Sequence, residues 1–102
     1  MDFKTKKDGD SLSIKISGAV GTEEAEILRA ELRKTIDDPP KKVRMDLSLV
    51  PSMGSSGIGK ILLFYKELDK KGAGFEIKGI HENLFNIFKS IKLDKIFPIS
   101  MG

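Results

Sequence analysis

Gly54-Ser55-Ser56-Gly57-Ile58-Gly59-Lys60 lies between two apolar runs that differ in period. Before it, Val43, Met45 and Leu47 alternate with Arg44, Asp46 and Ser48, and Leu49-Val50 extend the run. That alternation predicts a central strand over Val43–Val50. After it, Ile58, Ile61, Leu62, Tyr65 and Leu68 recur at helical spacing, and Leu63 and Phe64 widen the stripe. A wide stripe predicts the most buried helix of the chain, over Ile58–Leu68. Two hydroxyls therefore stand where a strand hands over to a helix. The first turn of a helix carries unpaired N–H groups and a partial positive charge. A phosphate there, free or covalently attached, is electrostatically favoured.

Working outward, Phe3–Lys7 reads as an edge strand and Asp8-Gly9-Asp10 as a turn. Ser11–Ser17 places Leu12, Ile14 and Ile16 on one face, and the two segments predict a hairpin. Gly18–Gly21 breaks the pattern. Thr22 is then the expected helix cap, with Glu23 and Glu24 suiting the positive end. Ala25, Leu28, Leu32 and Ile36 mark an amphipathic helix that Asp37-Asp38-Pro39-Pro40 ends. Beyond the Gly-Ser stretch, Lys71-Gly72-Ala73-Gly74 stops the second helix, and Phe75–Lys78 reads as a short strand. Leu84, Ile87, Phe88 and Ile91 mark a third helix, with Phe88 on its core stripe and Phe85 off it. Lys95–Ile99, containing Pro98, reads as a short edge strand or an extended tail. The order is β-β-α-β-α-β-α, with or without a terminal strand. Strand-helix-strand units imply parallel pairing. The expected fold is α/β: a small mixed sheet of about four to five strands with helices packed over it.

At 102 residues the chain fits one domain, 1–102, large enough for one core. It has no cysteine, which excludes disulfides and thiolate metal sites, and one histidine, His81, which excludes a histidine metal cluster. No catalytic constellation is visible, so the chain is read as a non-enzyme without a cofactor. The net charge is +3, with lysine pairs dispersed at Lys6-Lys7, Lys41-Lys42 and Lys70-Lys71. Dispersed lysines interleaved with acids read as a solvated surface, not as a nucleic-acid interface. Met1-Asp2-Phe3-Lys4 leads straight into polar sequence, and no apolar run approaches the roughly 20 residues of a membrane helix. The expected location is the cytoplasm, without membrane insertion.

Three readings of the Gly-Ser stretch compete. One is a glycine-rich junction whose serines cap the helix. Another is a nucleotide site, because Gly54-x-x-x-x-Gly59-Lys60 matches most of a P-loop; the next residue there must be Ser or Thr, and here it is Ile61. The third is a phosphoacceptor, where modification adds roughly −1.5 to −2 charge at the helix mouth. Residue types alone leave these open. Asp46 is read as a strand-end acceptor for a turn in preference to a support for the serine loop, and His81 as a polar helix start. Ile58 is assigned to the core, and Met53 is a candidate apolar contact beside the serines.

Met45-Asp46-Leu47-Ser48-Leu49-Val50-Pro51-Ser52-Met53-Gly54-Ser55-Ser56-Gly57-Ile58-Gly59 resembles the signature of STAS domains, and more narrowly of bacterial anti-sigma factor antagonists. Ile16-Ser17-Gly18 and the closing Leu93-Asp94-Lys95-Ile96-Phe97-Pro98-Ile99 fit the same pattern. The resemblance implies partner switching. The unmodified antagonist binds an anti-sigma factor, often a serine kinase; phosphorylation releases it, and a metal-dependent serine phosphatase resets it. The family phosphoserine falls on Ser56. Ser55 is the implied recognition residue beside it, with Gly57 and Gly59 shaping a tight helix start; Gly54, Gly57, Met53 and Gly21 are read with Ser55 as the partner-binding surface. Two positions depart from the family, which usually has Asp where this chain has Gly54 and often has Asp where it has Gly21. An unregulated STAS scaffold or interaction subunit is therefore the alternative, and a P-loop-like nucleotide binder the remote one.

Overall fold

The computed structural model describes residues 1–102. Two antiparallel strands open it, β1 (Asp2–Asp8) and β2 (Ser11–Ser17), with Phe3 opposite Ile16. Helix α1 (Thr22–Ile36) leads to β3 (Lys42–Leu49), α2 (Ser55–Lys70) to β4 (Gly74–Ile80), and α3 (Glu82–Ser90) to the two-residue β5 (Ile99–Ser100). The sheet runs β1-β2-β3-β4-β5, with every pair after the first parallel. β3 is central, as its apolar run predicts.

One core of 23 buried side chains joins β2, β3 and β4 to the three helices, and Phe3 of β1 and Ile99 of β5 pack against it. Ile14 and Ile16, Val43, Met45 and Leu47, and Phe75 and Ile77 project from one sheet face into it. Ala25, Leu28 and Leu32 of α1, Ile58, Ile61, Phe64 and Leu68 of α2, and Leu84 and Phe88 of α3 meet them. Each such Val, Leu, Ile, Met or Phe side chain contributes about 1.5–3 kcal/mol on burial. The helices share one face of the sheet, and the strand positions between the core residues form the other. Beneath α2, an aromatic chain closes the β4 side: Phe64 and Phe97 each meet Phe75 edge-on, at centroid distances of 5.7 and 4.9 Å.

The chain departs from its patterns in three places. α2 starts at Ser55, three residues before the expected Ile58, and its Leu63 is exposed. In α3, Leu84 and Phe88 are buried but Ile87 is 46% exposed, and Ile91, the C-cap, is 51% exposed. This nine-residue helix buries only Leu84 and Phe88, a narrower stripe than its apolar content allows. The segment Lys95–Ile99, read as a short edge strand or an extended tail, follows a 3-10 turn, Leu93–Lys95, and reaches the sheet edge only at the two-residue β5. Pro98 still serves the ladder, because its carbonyl accepts the Ile77 N–H at 2.9 Å.

Around the C-terminal half of β3 the register slips on both sides, between Lys15 and Ser17 on β2 and between Met45 and Leu47 opposite β4. Gly79 takes up the second slip at φ +115°, and a side chain there would collide with the Asp46 carboxylate. On the uncovered face, Arg44 Nε donates to Glu76 Oε1 at 2.8 Å and Lys42 Nζ lies 3.6 Å from the same oxygen. The Arg44 hydrogen bond, against the opposing effect of desolvation, holds the Glu76 carboxyl below its ordinary range. A carboxyl depressed on folding stabilises above its unfolded value, about 4.3, and loses that contribution as pH falls through the folded value. The stability gap between wild type and Glu76→Gln is therefore expected to shrink below about pH 4.3. Thermal unfolding of both proteins across acid pH checks this.

Candidate functional site

The loops leaving β2 and β3 meet at one end of the sheet. Gly18 N–H donates to the Leu49 carbonyl at 2.9 Å, and Val20 N–H to the Ser52 carbonyl at 3.0 Å. Gly54 N–H returns to the Val20 carbonyl at 3.0 Å, so Val20 and Met53 form a one-residue parallel bridge. This short ladder fixes Gly54 in an extended conformation (φ −76°, ψ 170°) as the N-cap of α2. Ile58 N–H then donates to the Gly54 carbonyl at 3.1 Å and closes the first helical turn.

Ser55 and Ser56 are thus the first two helical residues, and both are exposed. The serines do not cap the helix; a glycine without a side chain does, and the hydroxyls stay free of that duty. The N–H groups of Ser55, Ser56 and Gly57 have no carbonyl one turn back to bond. α2 also has no acidic residue in its first turn, whereas α1 has Glu23 and Glu24 and α3 has Glu82. The positive end of α2 is therefore the one left without local compensation.

The remaining sequence-predicted residues divide. Gly21 lies one residue from the Val20 bridge and is the N-cap of α1, in place of the expected Thr22. Its N–H is held by Glu24 Oε1 at 2.9 Å, which satisfies a donor the helix leaves open. Gly57 is buried, because Met53 and Val20 press on it: a methyl group there would lie 2.8 Å from Met53 Cγ and 2.9 Å from Val20 Cγ1. Met53, expected at a docking surface, is turned inward and only 7% exposed, drawn in by the bridge to Val20. Gly59, expected to shape the helix start, has nothing within 4 Å of where a side chain would begin.

Lys60 does not face the helix start. Its Nζ pairs with Glu26 Oε1 across α1 and α2 at 3.5 Å, and Ile61 is fully buried. A phosphate cradle needs a lysine at the phosphates and a hydroxyl at the metal, and the stretch offers neither. The nucleotide reading fails on that geometry. Asp46 behaves as a strand-end acceptor: its Oδ1 takes the Ser48 N–H at 2.8 Å.

At this end Leu49 faces the opposite way from its expectation, and His81, at a helix start as expected, makes a contact that the sequence does not announce. Leu49, assigned to the apolar run of β3, is 55% exposed because the register slip opposite Ser17 turns the strand end outward. His81, the N-cap of α3, donates its Nε2–H to the Val50 carbonyl at 2.6 Å and ties the β3–α2 loop to the next helix. No local signal announces a contact between residues 31 positions apart.

An α/β module with a bare sheet face and a solvent-facing serine pair at the start of its central helix is the class these features define. The sequence model of the STAS domain matches residues 2–102, and the chain belongs to that family. Solved structures agree on the fold. An anti-sigma factor antagonist from Mycobacterium paratuberculosis is 22% identical, with a TM-score of 0.89 over 99% of this chain and 86% of that one. The Bacillus cell fate determinant SpoIIAA in its phosphorylated form is 17% identical, at a TM-score of 0.76 over 97% and 91%. A sulfate transporter family protein from Wolinella succinogenes is 18% identical, at a TM-score of 0.74 over 91% and 72%. No helix of this chain is long and apolar enough to cross a membrane.

The two glycines of the motif separate in a stability test. Gly57→Ala is expected to cost about 1–3 kcal/mol through overpacking against Met53 and Val20. Gly59→Ala is expected to gain about 0.5–1 kcal/mol, as an unobstructed helical glycine should. Chemical denaturation of both variants checks the contrast.

Proposed function

We propose that this chain is a non-enzymatic, cytoplasmic anti-sigma factor antagonist that exchanges protein partners through phosphorylation of Ser56. The unmodified form binds an anti-sigma factor with serine kinase activity; the phosphorylated form is released and awaits a serine phosphatase. The observation that carries this reading is Ser56 itself: a helical second residue, exposed, not used as a cap, at a helix start without acidic compensation. A phosphate on its oxygen meets free N–H groups and gains about 0.3–1 kcal/mol from the helix dipole. It also reverses the local sign of the surface that a partner must desolvate, and like charges across an interface are strongly penalised. Ser55, Gly54 and the Gly21 loop frame that surface, and the exposed Leu49 supplies an apolar contact on the same end. Support also comes from fold relatives that are an anti-sigma factor antagonist and a phosphorylated SpoIIAA.

A second reading is favoured by Gly21 and Gly54, which stand where the resemblance leads one to expect carboxylates. It is a STAS module that binds one partner constitutively, as a subunit of another complex; the fold also occurs in a sulfate transporter family protein.

The direct test uses the partner recovered from the native host by pull-down. Ser56→Ala is expected to bind it but to resist release on incubation with kinase and ATP. Ser56→Asp is expected to bind at least about tenfold more weakly, a difference of about 1.4 kcal/mol. Mass spectrometry after kinase treatment should place one phosphate on Ser56. Tight partner binding without phosphate at that residue, and equal affinity for wild type and Ser56→Asp, would select the constitutive reading.

A further inference from the structure

The sheet face turned away from the helices has no cover. Parallel strands are ordinarily buried on both faces. Here β2, β3 and β4 are parallel, yet all the helices and the whole core lie on one side. The open face is charged. Register places Lys4 opposite Lys15, and Lys15 opposite Asp46. Lys6 and Lys78 flank that row, and with Arg44 these side chains line a shallow basin of about 470 Å³.

Of the negative groups there, Asp2 and Asp8 stand at the two ends of β1, opposite Ser17 and Ser11, and the two in the middle of the face are already committed. Glu76 holds Arg44 and Lys42, and Asp46 holds the Ser48 N–H. The ion pairs of the molecule fall on Lys34, Lys41, Lys42, Arg44 and Lys60, so Lys4, Lys6, Lys15 and Lys78 are exposed and without a carboxylate partner. Like charges directly opposed on an antiparallel pair destabilise it. Lys4 and Lys15 are in that position, and a bound anion would relieve them.

We propose that this face is a docking surface for an acidic polypeptide segment of a partner protein. Charge complementarity selects the occupant. A lipid surface would press anionic headgroups against the outward Asp46 and Glu76, and the face has no apolar side chain to enter the hydrocarbon. A nucleic acid would find no aromatic ring to stack on. A flexible acidic segment can set carboxylates over Lys4, Lys15 and Lys78 and pass beside Asp46. The surface lies on the opposite side of the sheet from α2, so occupancy is independent of Ser56.

Titration of the isotope-labelled full chain with a poly-L-glutamate peptide, followed by amide NMR shifts, tests this. Shifts are expected on β1 to β4 around Lys4, Lys15, Arg44 and Lys78, and none at Ser55–Gly57. The double variant Lys4→Ser/Lys15→Ser is expected to bind about fivefold more weakly, with weaker salt dependence. A charge-matched control, Lys66→Ser/Lys70→Ser on α2, should stay close to wild type. Removing the opposed lysines should leave the melting temperature equal or higher, which separates lost binding from lost folding. Equal weakening in both double variants, or shifts spread away from the sheet, overturns the proposal. Tighter binding of phosphatidylserine vesicles or of oligo-dT through the same lysines overturns it as well.

Discussion

The ladder between the Gly18–Gly21 loop and the Ser52–Gly54 loop sets the rest of this site. Its N–H donors at Gly18, Val20 and Gly54 tie the ends of two parallel strands together beyond the sheet proper. Because Gly54 is held extended by the Val20 carbonyl, α2 has one place to begin, and Ser55 and Ser56 fall on its first turn. The same constraint turns Met53 inward and sets it against Gly57, so that only a glycine fits there. His81 braces the arrangement from the third side through the Val50 carbonyl. Exposure of the serines and burial of their neighbours are thus two results of one backbone contact.

Much of this was legible in the sequence, for an identifiable reason. Period-two alternation in Ser11–Ser17 and Val43–Leu47, and helical spacing from Ala25 and from Ile58, are local patterns, and the elements they predict all form. The strand–serine–helix junction was legible because its residue types are local too. What was hidden depends on contacts between distant residues. The first apolar residue of the α2 stripe, Ile58, lies three residues inside the helix, because the start is set by Val20, more than thirty positions away. Leu49 misled because a register slip, not composition, decides which way a strand end faces. Thr22 looked like a cap because its hydroxyl suits one, yet Glu24 reaching back to the Gly21 N–H does the work without it. Lys60 resembled a phosphate ligand only until its partner Glu26 was located on the neighbouring helix.

The one-sided sheet was the least legible feature of all. Lysines that look dispersed along the chain are gathered by antiparallel and parallel register into one surface, Lys4 beside Lys15 and both near Lys78. Linear spacing cannot show such convergence, because the strands that bring these residues together are separated by a turn or by whole helices. Long lysine stems also suit a bare sheet, since their methylenes shield backbone while the ammonium stays in water.

Magnitudes decide how a modification at Ser56 would be read. A phosphate gains about 0.3–1 kcal/mol from the helix dipole. Ile58, Ile61, Phe64 and Leu68 anchor the same helix in the core, each by about 1.5–3 kcal/mol. The modification is therefore several-fold too weak to dislodge α2, and the ladder to Val20 resists any shift of the helix start. Its free energy would have one remaining outlet, the interaction with any partner that docked on that surface. A partner that places its own negative charge, or an apolar contact, over Ser56 would have to desolvate a near-dianion there, at a cost larger than the dipole gain. A rigid scaffold with an exposed hydroxyl is thus suited to switching through complementarity with a partner, where a flexible one would dissipate the same charge in local rearrangement.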